Sequence, residues 1–165
     1  MYIFQSEHYT VRPLFASDVE IYTAIHGSAQ VMQFIRPAKS REACIQLIQE
    51  HIELNKDLAP FGRWVIEEKS TGWAIGTYVI VPTYSAGKWQ LGYALIPEYW
   101  GKGISTEITQ ACIQWLKTLS IVNTIYAITE KEHLASQKVL EKNGFRWYDQ
   151  KAEAGKLLIW WECAL

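Results

Sequence analysis

The stretch Leu95-Ile96-Pro97-Glu98-Tyr99-Trp100-Gly101-Lys102-Gly103-Ile104-Ser105-Thr106-Glu107 decides how this chain folds. Before it, Lys88 to Ile96 reads as a strand. After it a helix starts near Ile104, because Ile104, Ile108, Ala111, Cys112, Trp115, Leu116 and Leu119 recur at helical spacing. Gly101 and Gly103 lie in the junction, where a residue without Cβ lets the backbone turn sharply and approach a ligand. The first amides of a helix have no partners within it and carry the positive end of its dipole, so such a junction suits a phosphate or pyrophosphate. Gly-x-Gly by itself fits a plain helix-entry loop equally well. The nucleoside-triphosphate loop, Gly-x-x-x-x-Gly-Lys-Ser/Thr, is absent. The dinucleotide pattern Gly-x-Gly-x-x-Gly fails at Thr106, where its third glycine would stand.

Upstream, Thr10-Val11-Arg12 reads as a strand stopped by Pro13, and Ser17 with Glu20 as a capping box opening a helix from Asp18 to His26, ended by Gly27. Ser28 is expected to cap a short helix carrying Val31, Met32, Phe34 and Ile35. Ser40 is expected to cap a third helix with Ile45, Ile48 and Ile52 on one face. Arg63 to Glu68 and Trp73 to Val81 form a hairpin across Lys69-Ser70-Thr71-Gly72, and Pro82 to Gly87 is a loop. Downstream come a strand at Thr124 to Thr129, a helix at Ala135 to Asn143 closed by a left-handed Gly144, and strands near Phe145 to Tyr148 and Leu157 to Cys163. This order predicts a mixed α/β (α+β) fold, a sheet with helices on its faces. Nothing splits the chain, so residues 1–165 are expected to be one domain.

Charge and cysteines narrow the function classes. A net charge of −1 provides no basic field for nucleic acid or anionic lipid, and no stretch is long and apolar enough to span a membrane. Cys44, Cys112 and Cys163 show neither metal-ligand nor redox spacing, so no metal is expected, and free thiols without a secretion signal point to a cytoplasmic setting. Eight Trp and nine Tyr supply large rings for a core and for a cleft.

Glu98-Tyr99-Trp100-Gly101-Lys102-Gly103 resembles the coenzyme A loop, Gln/Arg-x-x-Gly-x-Gly/Ala, of the GCN5-related N-acetyltransferase (GNAT) superfamily, departing from it at Glu98. Pro97 to Gly103 with Thr106-Glu107 is more closely similar to the ribosomal-protein-alanine N-acetyltransferase-like (RimJ/RimL-like) branch. So are Val11-Arg12-Pro13-Leu14 with Ser17-Asp18 and Val31 to Ile35, Leu91-Gly92-Tyr93, and Ala135-Ser136 with Val139 to Phe145. The resemblance spans the chain nearly end to end. It implies a central, mostly antiparallel twisted sheet with a splayed V between two central strands.

It also implies acetyl-coenzyme A as acetyl donor and a primary amine, on a protein N-terminus or a small molecule, as acceptor. In this family Leu95 and Ile96 would offer main-chain groups to the pantetheine arm. Trp100, Gly101, Lys102, Gly103, Ile104 and Ser105 would surround the pyrophosphate, and Lys102 and Lys142 are candidates for the 3′-phosphate. Ser136 would face the cofactor sulfur and help the thiolate leave. His133 stands where the family has asparagine, either as a helix-end residue or beside the thioester as donor or base. The family's usual acid/base positions fall on Gln90 and Leu140, so the base is sought among His133, His26, Glu67, Glu68 and a water on Gln90. The alternative is a protein that binds acyl-coenzyme A with little or no chemistry. Edge strands of the fold leave monomer or homodimer open.

Overall fold

Alternation of side chains along the strands divides the core in two. The computed structural model describes residues 1–165, with β1 (Phe4–Gln5), β2 (Tyr9–Pro13), α1 (Val19–His26), α2 (Ala29–Met32), α3 (Arg41–Leu58), β3 (Gly62–Glu68), β4 (Ala74–Pro82), β5 (Trp89–Leu95), α4 (Ile104–Leu119), β6 (Thr124–Glu130), α5 (Leu134–Lys142), β7 (Arg146–Glu153) and β8 (Lys156–Ala164). On β3, Trp64 and Ile66 face the cluster that holds Ile104, Ile108, Cys112 and Leu116 of α4, while Val65 between them faces Ile21, Ile25 and Ile48 of α1 and α3. Helices therefore cover both faces. Each fully buried aliphatic side chain contributes roughly 1.5–3 kcal/mol, enough for the α4 stripe to fix which way that helix points.

The sheet runs β1-β2-β3-β4-β5-β6-β8-β7 and is antiparallel except between β5 and β6. β4 and β5 pair from Pro82↔Trp89 to Gly76↔Leu95, and β6 and β8 from Thr124↔Ala164 to Glu130↔Leu158. Between these two halves, parallel β5 and β6 share a single register pair, Gln90↔Tyr126. The expected V is thus present, closed near Gln90 and open toward Leu95. Gly76 helps set it, since a Cβ there would sit 2.3 Å from the Ala94 carbonyl oxygen. Only glycine lets β4 approach the open end of β5 this closely.

Several local expectations change. Asp18, not Ser17, is the N-cap of α1 and makes no cap bond, because its carboxylate takes a two-pronged contact from Arg12 at 2.9 Å and the Phe15 N–H at 2.8 Å. Ser28 and Ser40 do cap, accepting from the Val31 and Ala43 N–H groups. The buried face of α3 is Cys44, Leu47, Ile48 and His51, leaving Ile45 exposed; His51 hides the stripe by being polar. β1 is too short to read from sequence. β7 runs on to Glu153, through polar residues on both faces, because it is an edge strand closed by the Ala154-Gly155 turn with both φ values positive.

Candidate functional site

In an antiparallel ladder, alternate residues turn both main-chain groups to the same neighbour. The Ile96 N–H donates to the Ile75 carbonyl at 3.0 Å, so with this register Ala94 and Gly92 also face β4. Tyr93 and Leu95 then face β6, beyond the point where β6 pairs. The Trp100 indole N–H donates to the Leu95 carbonyl at 2.7 Å, which leaves the Leu95 N–H and both main-chain groups of Tyr93 available along the gap. Of the two residues expected to serve a pantetheine arm, Leu95 faces the gap and Ile96 has its N–H committed elsewhere. Tyr93, which entered above only within Leu91-Gly92-Tyr93, also faces the gap. Which residues face the gap is set by the strand register, which depends on where pairing with β4 begins.

At the open end, a single 3-10 turn at Pro97–Tyr99 leads into the glycine junction. Gly101 and Gly103 have φ values of 70° and 77°, and Gly103 is the left-handed N-cap of α4. A Cβ at either would meet nothing within 4 Å, so the backbone there borders open space. The N–H groups of Gly101, Lys102, Gly103, Ile104, Ser105 and Thr106 find no acceptor in the chain. Six unanswered donors at the positive end of a 16-residue helix form an anion cradle. The Lys102 ammonium lies over the Tyr99 ring, 5.1 Å from its centroid. The closing motif holds α5 beside this helix: Asn143 donates to the Thr106 carbonyl at 3.3 Å, and Gly144 turns the chain with φ 81°.

The gap continues into a cleft of about 590 Å³ that brings together Gln90, Tyr93, His133 and Ser136. Ser136, in the first turn of α5, lies 3.1 Å from the Tyr93 hydroxyl. Burial pushes the Tyr93 phenol up to about 12, with the Ser136 bond pulling the other way, so it is a protonated donor at neutral pH. His133 occupies the N-cap of α5 without capping it, and its ring stacks on Phe34 at 4.6 Å. Burial lowers its pKa, partly opposed by Glu130, so the ring favours its neutral form. Glu67 is tied to Arg12 at 2.8 Å, and neither Glu67 nor Glu68 lines the cleft. Cys112 is a core thiol, which burial pushes up to about 12.

The far wall of the cleft is Met32 and Phe34 to Pro37 with His26, together with Tyr84 from the loop after β4. The β7–β8 turn, through Glu153 and Lys156, forms the opposite wall, which no local pattern signals because nothing local says which way a hairpin leans. Among the many large rings, Tyr84 reaches the cleft, whereas Trp64 is core and Trp73 is exposed on the β3–β4 hairpin.

An acetyltransferase (GNAT) domain profile matches residues 8–146. The uncharacterized N-acetyltransferase YoaA of Bacillus subtilis is 24% identical over 149 residues, covering 87% of this chain and 82% of the relative. Among solved structures, the ribosomal-protein-S5-alanine acetyltransferase of Vibrio fischeri superposes with a TM-score of 0.78 at 23% identity, over 98% of this chain and 95% of the other. RimL, a ribosomal L7/L12 α-N-protein acetyltransferase solved with coenzyme A, gives a TM-score of 0.84 at 16% identity over 100% and 98%. The profile match covers most of the chain and coincides with the splayed strands and the amide cradle, so this chain belongs to the GNAT acetyltransferase family.

Proposed function

We propose that this protein transfers the acetyl group of acetyl-coenzyme A to a primary amine, on a small molecule or a protein N-terminus, by direct transfer in a ternary complex. One observation carries the reading: an unpaired stretch of β5 leads straight from a cradle of free amides to a cleft holding Ser136 and His133. A diphosphate followed by an extended, amide-bearing arm matches that sequence of sites. The amides of residues 101–106 would hold the diphosphate, with Trp100 beside them, and Tyr93 and Leu95 would pair with the arm as a false strand. When bound, the cofactor supplies an acyl thioester open to attack by an amine.

The chain's own groups would do the rest. An amine with an ordinary pKa near 8 to 10 arrives protonated and must lose a proton before it attacks. The neutral His133 imidazole would take it, directly or through a water on Gln90. As the new C–N bond forms, a β5 amide, from Tyr93 or Leu95, would face the growing charge on the carbonyl oxygen. As the C–S bond breaks, the Ser136 hydroxyl, held by Tyr93, would donate a hydrogen bond to the departing sulfur, and the second proton of the attacking nitrogen would pass to that sulfur, leaving a neutral amide and a free thiol. The same reading takes residues 1–165 as one N-acetyltransferase domain working in the cytoplasm as a monomer or homodimer, its three cysteines free and buried.

Holding acyl-coenzyme A without turnover is the competing reading, favoured by Gln90 in the cleft where a carboxylate would make a stronger base. Calorimetric titration with coenzyme A, followed by thiol release from acetyl-coenzyme A across an amine and peptide panel, separates the two. Binding with turnover supports the enzyme, binding without turnover supports the carrier, and no binding removes both.

A further inference from the structure

The two walls of the cleft beyond Ser136 carry opposite charge. On one side, the chain leaving α2 folds back so that the Lys39 N–H donates to the His26 carbonyl at 2.8 Å, and Arg36 is held on the cleft. Arg36, Lys39 and, behind them, Arg63 have no carboxylate partner within 4.0 Å. The nearby acids are engaged elsewhere, Asp18 by Arg12 and Glu20 by Arg41. His26 lines the cleft with only 6% of its surface exposed, and its Nδ1 has no hydrogen-bond partner; one guanidinium nitrogen of Arg63 is likewise buried and unanswered. Behind His26, the Tyr22 hydroxyl and His51 Nδ1 lie 2.5 Å apart, so those groups satisfy each other and cannot serve it. On the other side stand Glu153 and Glu130, the latter paired with Lys156.

A buried polar group without a partner is costly, so its presence beside a cleft calls for an explanation. Burial, with Arg36 and Lys39 adding to it, holds the His26 imidazole down to about 4, so it stands neutral within a surplus of positive charge. An anion is what that surplus of positive charge lacks. A planar guanidinium with no partner suits a carboxylate, which it can grip with two parallel N–H groups.

We infer that the acceptor is a zwitterionic amine, one with a carboxylate close to its amino group, whose carboxylate sits on Arg36 and His26 while its ammonium faces the acidic wall until it is deprotonated. This rests on the acetyltransferase reading and names its substrate class. The carboxylate comes either from a free amino acid or from an acidic side chain just after a peptide's N-terminal residue. Phe34 and Tyr84 on the same cleft make an aromatic amino acid a fitting probe.

The test uses pairs that differ only in the carboxylate: tyrosine against tyramine, and Ala-Glu-Ala amide against Ala-Gln-Ala amide. The kcat/KM of each is measured for the unaltered protein and for Arg36→Gln and Arg36→Lys. The unreactive products N-acetyltyrosine and N-acetyltyramine are titrated by calorimetry, with and without coenzyme A, and the His26 imidazole is followed by NMR. The expected result is at least a tenfold preference for the carboxylate-bearing member of one pair, lost in Arg36→Gln and partly kept in Arg36→Lys. A His26 shift that responds to N-acetyltyrosine and not to N-acetyltyramine should accompany preference in the tyrosine pair. Preference in the tyrosine pair assigns a free amino acid; preference in the peptide pair alone assigns an acidic N-terminus. Equal or reversed preference in both pairs, or preference untouched by Arg36→Gln, overturns the inference. Because the product titration needs neither turnover nor coenzyme A, its failure is distinct from failure of the enzyme reading, which shows as absent coenzyme A binding.

Discussion

The two ends of β5 have the same local sequence character and opposite fates. Near Trp89 and Gln90 the strand is bonded on both sides, to β4 and to β6. Lys88 reinforces that end from outside, its ammonium 4.8 Å from the centroid of the Tyr126 ring and 4.4 Å from that of Tyr148. At Tyr93 and Leu95, β4 remains and β6 has left. The difference teaches that a binding edge can be made by withholding a partner as well as by adding a side chain. Gly76 draws β5 toward β4, Trp100 satisfies the one carbonyl at the lip, and the Tyr93–Ser136 contact joins the open strand to α5 across the gap.

The sharpest break in that comparison is chemical. Ser136→Ala should lower kcat roughly 10²-fold and Tyr93→Phe about tenfold, with KM for acetyl-coenzyme A nearly unchanged, because donors to a leaving group act mainly in the transition state. Steady-state kinetics on both variants checks this; equal loss in KM would move both residues from chemistry to binding.

A smaller effect is expected from filling the cradle. Gly103→Val has open space for its side chain but sits at φ 77°, which costs about 1–2 kcal/mol of stability. Coenzyme A affinity should fall at least tenfold, beyond what that strain explains, as read by calorimetry on the folded variant.

Crowding the open end from the β4 side comes next. Gly76→Ala must push the Ala94 carbonyl away from its 2.3 Å approach, and should cost about 1–3 kcal/mol in a urea midpoint.

Taken over a single pH unit, the smallest effect comes from the buried ring cluster behind the cleft. Burial, aided by neighbouring cations, depresses His26 to about 4 and His51 to about 3. Unfolded histidines take up protons near pH 6.5 and these folded ones do not, so stability should be level above that pH and fall as pH drops toward 4 and then 3, by at most about 1.4 kcal/mol per pH unit for each ring. Urea titrations from pH 8 to 4 should show this slope, and His51→Asn should flatten it; a slope that rises toward acid would reverse the sign of the account.

The sequence made the cradle legible because its signal is local. Two glycines, a strand before and an amphipathic helix after are all that an amide cradle needs, and Gly101 and Gly103 take the positive φ values such a turn requires. The hairpin of β3 and β4, the caps at Ser28 and Ser40 and the turn at Gly144 were legible for the same reason. What remained hidden depends on distant partners. Asp18 stands at the N-cap position without capping because Arg12 claims its carboxylate, and His51 faces inward because Tyr22 answers it. That Tyr93 faces the gap and Ile96 does not follows from a strand register that no local pattern records. The β7–β8 wall likewise depends on how an edge hairpin packs, which is why Glu153 and Lys156 entered the site only with the coordinates.

Residue-resolved hydrogen exchange on β5, with and without coenzyme A, reaches the centre of this account. The amides of Tyr93, Leu95 and residues 101–105 should exchange quickly in the free protein and slow markedly when coenzyme A is added, while Gly92 and Ala94, bonded to β4, stay unchanged. Slow exchange at Tyr93 and Leu95 without ligand, or rates there that ignore saturating coenzyme A, would show that the strand edge is not the binding edge.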